Sequence, residues 1–331
     1  MTLRMLLVSA TAGIGLTSVA AAQDVSLRYA HVGTEGDIQY RYVEEVAAAL
    51  AERSEGRIEL QVFPASQLGG VAEMVDGVRS GAIDIAHHDF ASLARIAPDV
   101  AVFNAPFVFR DGAHAVAATD PATSPAVQQI NEQLVADGNV RIIGRLYRGA
   151  RQISSNFPVL SPADLEGQPF RAVPLDLWVS MVTGFGAIPT PIEVSELPTA
   201  LMTGVVVGQE NPLTMINANK LYEVQSDISL TSHMQSVLAI FINEDAWNEI
   251  PVDDQQLIAE VLDDYAGQSL VWAETSEQEL IEEIAAQGVT FHDESNGLDL
   301  EGFRTAVMAQ INADFPNFEP YIAMIAEVEA D

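Results

Sequence analysis

Between residues 27 and 85 the apolar residues change their spacing four times, and few folds accept that alternation. Residues 27–32 read as a strand that ends at Gly33-Thr34-Glu35-Gly36. Val43, Val46, Ala47 and Leu50 then recur at helical spacing, which predicts an amphipathic helix over 38–54. Ile58, Leu60 and Val62 alternate with Glu59 and Gln61 as in a half-buried strand. Val71, Met74, Val75 and Val78 form the next helical stripe, stopped by Gly81, and Ile83 and Ile85 open a further strand. Strand, helix, strand, helix, strand is the signature of an α/β unit with a mainly parallel sheet.

The pattern resumes later. Residues 139–144 supply an apolar strand, and Trp178, Val179, Met181 and Val182 a helix before Gly184. Leu197, Ala200 and Leu201 mark another helix, and Val205-Val206-Val207 reads as a buried strand ending in the polar turn Gly208-Gln209-Glu210-Asn211-Pro212. This reads as a second α/β unit, as a chain of 331 residues leads one to expect, because single cores stop growing near this size. After Pro251 one apolar stripe runs to Ile284; as a single helix over 252–286 it would extend roughly 50 Å. A break at Gly267 is the alternative. A strand at 289–291 and helices at 300–312 and 318–329 complete the expectation.

The amino terminus bounds the compartment. Arg4, the apolar stretch from Met5 to Val19 and the small residues Ala20-Ala21-Ala22 predict a secretory signal over residues 1–22, cleaved after Ala22. The run is too short for a lasting transmembrane anchor. The formal charge is −32, from 15 basic and 47 acidic residues, and Lys220 is the only lysine. Such a surface repels nucleic acid and anionic lipid, and it suits a salty exterior. An anionic ligand would also be repelled on average, so each arginine carries more information here than in a balanced protein. Cysteine is absent, which excludes thiol chemistry and cysteine metal sites.

Candidate binding residues follow from position. Arg151, in Tyr147-Arg148-Gly149-Ala150-Arg151, and Arg171, in Pro169-Phe170-Arg171-Ala172-Val173, stand where a strand end can offer a carboxylate two parallel hydrogen bonds. Asn211 and Glu210 occupy the turn after an apolar strand, where ligands of α/β sheets gather; Glu210 can orient an arginine or receive a ligand hydroxyl. His87-His88-Asp89 invites a metal reading, but neighbours on a strand face opposite ways and no HExxH spacing is present, so His88 and Asp89 are read as lining an organic ligand. His31, Thr34 and Glu35 flank the first turn. Trp178 suits a core or cleft wall, and Phe241 either a strand core or a ligand face. No nucleophile elbow, phosphate loop or dinucleotide fingerprint occurs, and no cofactor is implied.

Arg57-Ile58-Glu59-Leu60-Gln61-Val62-Phe63-Pro64 with Gln67-Leu68-Gly69, then Gly81-Ala82-Ile83-Asp84, Pro106-Phe107-Val108-Phe109 and Pro162-Ala163-Asp164-Leu165-Glu166-Gly167 follow in order. After Arg171 come Gly186-Ala187-Ile188-Pro189-Thr190-Pro191, Ala200-Leu201-Met202-Thr203-Gly204 and Gly208-Gln209-Glu210-Asn211-Pro212. In this succession the chain resembles the extracytoplasmic solute-binding subunits of tripartite ATP-independent periplasmic (TRAP) transporters, the DctP-like family, over nearly its whole mature length. The resemblance implies an α/β, two-domain periplasmic-binding-protein fold of the Venus flytrap type, with hinge strands and a long helix touching both domains. By that analogy residues 24–148 plus 237–276 form one domain and 149–236 plus 277–331 the other. It implies that Arg171 forms the main salt bridge to a ligand carboxylate, with Arg151 and Asn211 assisting. It also implies a monomeric, periplasmic protein that is not an enzyme and hands a small organic acid to small and large TRAP membrane subunits. Val207 departs from the aspartate that commonly precedes the glycine of the Gly-Gln-Glu motif, which weakens any transfer of detailed ligand geometry. Asn211, Glu210, His88 and Asp89 favour a hydroxylated sugar acid; a dicarboxylate, a 2-oxo acid or an ectoine-like zwitterion are the alternatives, and an aromatic box around Trp178 or Phe241 would favour a cationic ligand. A periplasmic organic-acid enzyme and a ligand sensor are the readings from other classes.

Overall fold

A computed structural model describes residues 25–330. The expected signal segment, residues 1–22, lies outside the described residues. Among the described residues nine strands form one sheet: β1 (Val25–Ala30), β2 (Ile58–Phe63), β3 (Ile85–Asp89), β4 (Val140–Ser155), β5 (Pro169–Ala172), β6 (Ile188–Pro191), β7 (Gly208–Pro212), β8 (Asp227–Asn243) and β9 (Thr290–His292). Their order is β2-β1-β3-β8-β4-β7-β5-β6, with β9 beside β8. β1 pairs in parallel with β2 and β3, and β5 with β6 and β7, so each end of the sheet is a parallel α/β unit.

Two strands join the ends. β4 has 16 residues and β8 has 17, and they run antiparallel through both lobes. The first half of β4 pairs with the second half of β8 next to β3, while their other halves meet beside β7 and β9. The fold is therefore a bilobed α/β architecture whose lobes share two continuous strands. Register shifts fall between Tyr147 and Ala150 and between Arg151 and Ile153, where the chain passes from one lobe to the other. Gly149 sits there at φ 104°, a conformation that a side chain would strain.

The helix Val252–Ala286 is unbroken over 35 residues, so Gly267 does not interrupt it. Ile258, Val261, Leu262, Ala266 and Ala273 pack into the main core, and Ile284 joins a second core with Leu197, Leu201, Val206 and Ile228. One rigid element thus leans on both lobes. Among the described residues no helix is long and apolar enough to cross a membrane.

The expected strand at 205–207 is displaced. Val205 is exposed, and the strand is instead the polar Gly208–Pro212, buried throughout. The reason is lateral pairing: β7 lies between β4, which pairs along the whole length of β7, and β5, which pairs at Gly208, while Asn211 bonds Gln209 within the strand. Gly208 must be glycine, since a Cβ would meet the Phe170 ring at 2.6 Å and the Ser154 carbonyl oxygen at 2.7 Å. Val207 is half-buried and held through its backbone, donating to the Pro169 carbonyl oxygen at 2.9 Å.

Candidate functional site

Where the lobes meet, three arginines converge on one small cavity. Arg148 and Arg151 come from β4 and Arg171 from β5. Three residues apart on a regular strand, Arg148 and Arg151 would face opposite ways. The bulge around Gly149 adds the extra twist that turns both inward. His88, Asp89, Val32 and Val71 close the cavity from the first lobe; Asn211, Glu193, Val173, Val194 and Met215 close it from the second.

The three guanidiniums differ in what already holds them. Arg151 donates through Nε and Nη2 to the Glu210 carboxylate, and Nη2 also reaches the Glu210 carbonyl oxygen at 2.9 Å. Glu210 further accepts from Trp178 Nε1 at 2.9 Å and pairs with His233 Nε2 at 3.1 Å. All four side chains are fully buried. Burial alone would raise the Glu210 carboxyl, but the charge and hydrogen bonds of Arg151, helped by His233, hold it at about 2. Arg148 donates to Ser236 Oγ at 2.9 Å and lies 3.5 Å from Asp89. Burial lowers its pKa, partly offset by Asp89.

Arg171 is the exception. Phe170 and Ala172 on either side enter the core, which sends Arg171 to the opposite face of β5. Its Nε donates to the Ile192 carbonyl oxygen at 2.9 Å. Among the described residues no hydrogen-bond partner or ion-pair carboxylate meets Nη1 or Nη2, although the residue is only 2% exposed. Burial pushes its pKa down to about 10, which Glu210 only partly counters. It remains charged at neutral pH, with both Nη groups unpartnered among the described residues.

The other candidates fall in two groups. His88 and Asn211 line the cavity. Burial pushes His88 down to about 4, so it is neutral, and its Nδ1 has no hydrogen-bond partner. Asn211 donates to Gln209 Oε1. Asp89 lines the cavity against Arg148. Glu210 and Trp178 stand behind Arg151 and do not line the cavity, and Glu210 reaches Arg171 only through its charge. Phe241 is enclosed within β8, paired with Ala86 and Ile142, and does not reach the cavity either. His31 stacks on His87 at 5.0 Å outside the cavity lining, and Thr34 Oγ1 is buried without a partner. Glu35 is exposed. His87 faces away from His88, bonding Tyr29 and Gln39. Arg148 and Glu193 were not among the sequence candidates. Gly149 between two arginines was the available sign for the first, whereas Glu193 is one of 47 acidic residues with nothing to set it apart.

The cavity measures about 20 Å³, room for a single water, whereas ligand pockets run to roughly 300–1,000 Å³. A groove of about 410 Å³ adjoins it along the seam between the lobes, sharing Val71 and Glu193. A ligand therefore reaches Arg171 only if the lobes part, and β4 and β8 are the strands on which they would turn.

Residues 29–315 match the family model described as bacterial extracellular solute-binding protein, family 7 (DctP). The chain belongs to this family. A family member from Roseobacter denitrificans is 29% identical over 306 residues, covering 90% of each chain. Its crystal structure, with bound L-galactonate, superposes with a TM-score of 0.84 at 27% identity, over 93% of this chain and all of that one (100%). The sialic acid-binding periplasmic protein of Vibrio cholerae is 28% identical over 89% of this chain and 91% of its own. A TRAP periplasmic solute-binding protein from Ochrobacterium anthropi, with bound L-fuconate, superposes with a TM-score of 0.85 at 27% identity, over 92% and 100%. As a DctP family member the chain is a periplasmic solute-binding protein of the TRAP type, and the family is one of binding proteins, not enzymes.

Proposed function

We propose that this family member binds a hydroxylated monocarboxylate, a sugar acid, between its lobes and presents it to the small and large subunits of a TRAP transporter. The observation that carries the reading is the state of Arg171. Arg151 is matched by Glu210 and Arg148 by Asp89, so among the described residues the cleft keeps one guanidinium without a paired carboxylate, for one carboxylate of the ligand. Two parallel N–H···O bonds to a carboxylate would engage the free Nη groups of Arg171, and exclusion of water on closure would strengthen them. Asn211, His88 and Asp89 supply polar atoms for hydroxyls. The sugar acids named with the two matched crystal structures, L-galactonate and L-fuconate, point the same way.

The proposed cycle needs no covalent chemistry. The lobes open on β4 and β8, the acid docks on Arg171, and contacts from both lobes favour closure to the extent that they are made only when closed. The proposed domains are residues 24–148 plus 237–276 and residues 149–236 plus 277–331. Export by cleavage after Ala22 and a monomeric state complete the reading. Native mass spectrometry of gently purified protein, followed by calorimetry with sugar acids and the corresponding neutral sugars, tests it. Binding of the acids with no response to the neutral sugars is expected; binding confined to neutral sugars overturns it.

A further inference from the structure

Glu193 has a part in the cleft that the anchoring of one carboxylate does not use. It follows β6 in the second lobe, and its side chain crosses the seam to the first. There it packs on Gly70, the N-cap of the helix Val71–Ser80, so closely that a Cβ on Gly70 would lie 2.9 Å from its carboxylate carbon. Gly70 offers no side-chain cap, which leaves the first N–H groups of that ten-residue helix in want of an acceptor. The Glu193 carboxylate lies against this helix start, where the Val71 N–H favours its charged form. It is also tied to the anchor, because the carbonyl oxygen of the preceding residue, Ile192, is the one that holds Arg171 Nε. Burial works against its charge, while Arg171 and the Val71 N–H favour it.

The uncapped helix start, on the same cavity as Arg171, would make a second anion place beside that anchor. In this chain the Glu193 carboxylate already lies against it. Resting on the monocarboxylate reading above, we propose that Glu193 determines ligand charge: it occupies the position of a second ligand carboxylate and so restricts the cleft to acids with one. A dicarboxylate would set its far end against Glu193, and two carboxylates in an enclosed cleft repel strongly. A hydroxylated tail would instead give Glu193 a hydrogen bond.

Calorimetry with matched six-carbon acids, a hexonate and the corresponding aldarate, reads this directly. The unaltered protein should bind the hexonate and disfavour the aldarate. In Glu193→Gln and Glu193→Ala the preference for the hexonate should fall by about tenfold or more, because a nearby like charge has gone. Gly70→Ala leaves Glu193 in place but pushes its carboxylate aside, and should shift the preference in the same direction by less. The backbone at Gly70, φ −78° and ψ −164°, tolerates alanine, so this variant remains informative should the Glu193 replacements fail to fold. Hexonate binding with an unchanged preference in the variants overturns the role of Glu193 alone. Failure of the unaltered protein to bind either acid overturns the sugar-acid reading itself, and this inference with it.

Discussion

Arg151 and Arg171 are equally hidden from water, yet their surroundings make them opposites. Around Arg151 the chain has built a network of Glu210, Trp178 and His233 that balances its charge and engages Nε and Nη2, leaving Nη1 without a partner. Around Arg171 it supplies one backbone carbonyl and a small cavity. The first arrangement is a structural ion pair that joins β4 to β7. The second is a charge kept out of water without repayment until a ligand arrives. Burial, then, does not single out Arg171; the absence of a paired carboxylate does.

That contrast can be broken most forcefully at Glu210. Glu210→Ala would strand Arg151 as a buried, uncompensated charge, and chemical denaturation should show a loss of about 3–5 kcal/mol. Affinity should suffer only as far as the fold does. Next in size, Arg171→Ala should weaken acid binding by about 30- to 1,000-fold in calorimetry. Its melting temperature without ligand should not fall, because the desolvated charge it removes had no paired carboxylate and only one backbone hydrogen bond. If Arg171→Ala unfolds the protein while affinity survives, the two arginines are not opposites.

A smaller effect sharpens the comparison by testing burial of a neutral group. Burial pushes His31 down to about 4, so below its unfolded value of about 6.5 the unfolded chain takes up a proton that the folded chain refuses. Stability should therefore decline as pH falls from about 6.5 to about 4, with nothing further lost from this group below that. The contribution is on the order of 1–3 kcal/mol. His31→Gln should flatten that segment of the curve in pH-resolved denaturation. An unchanged slope would mean that the ring is solvated.

Elements were legible wherever one side of the chain faces water and the other faces the core. The helix Ile38–Arg53 and strand Ile58–Phe63 lie within a residue of their expected ends, because their apolar periods record that asymmetry. The strand β7 was not legible. It is buried on both sides, and a polar run that satisfies itself laterally looks like a turn. The first half of β8 is similar, with Ser229, Thr231 and His233 buried among polar partners and no period to reveal it. At the site, Arg171 and Asn211 could be named from motif and position. Arg148 could not, because only the bulge at Gly149 brings it to the same side as Arg151. Glu193 could not either, since what distinguishes it is a helix start more than a hundred residues earlier in the chain.

By itself the sequence determined the alternation of strands and helices, the acidic exterior and the scarcity of cations, since these are properties of composition and local spacing. Only the tertiary structure decided which cations are spent. Whether a guanidinium is neutralised depends on carboxylates brought to it from distant segments, Asp89 for Arg148 and Glu210 for Arg151. Hydrogen bonds are satisfied over a few ångströms of space, whereas local sequence patterns report only on near neighbours along the chain.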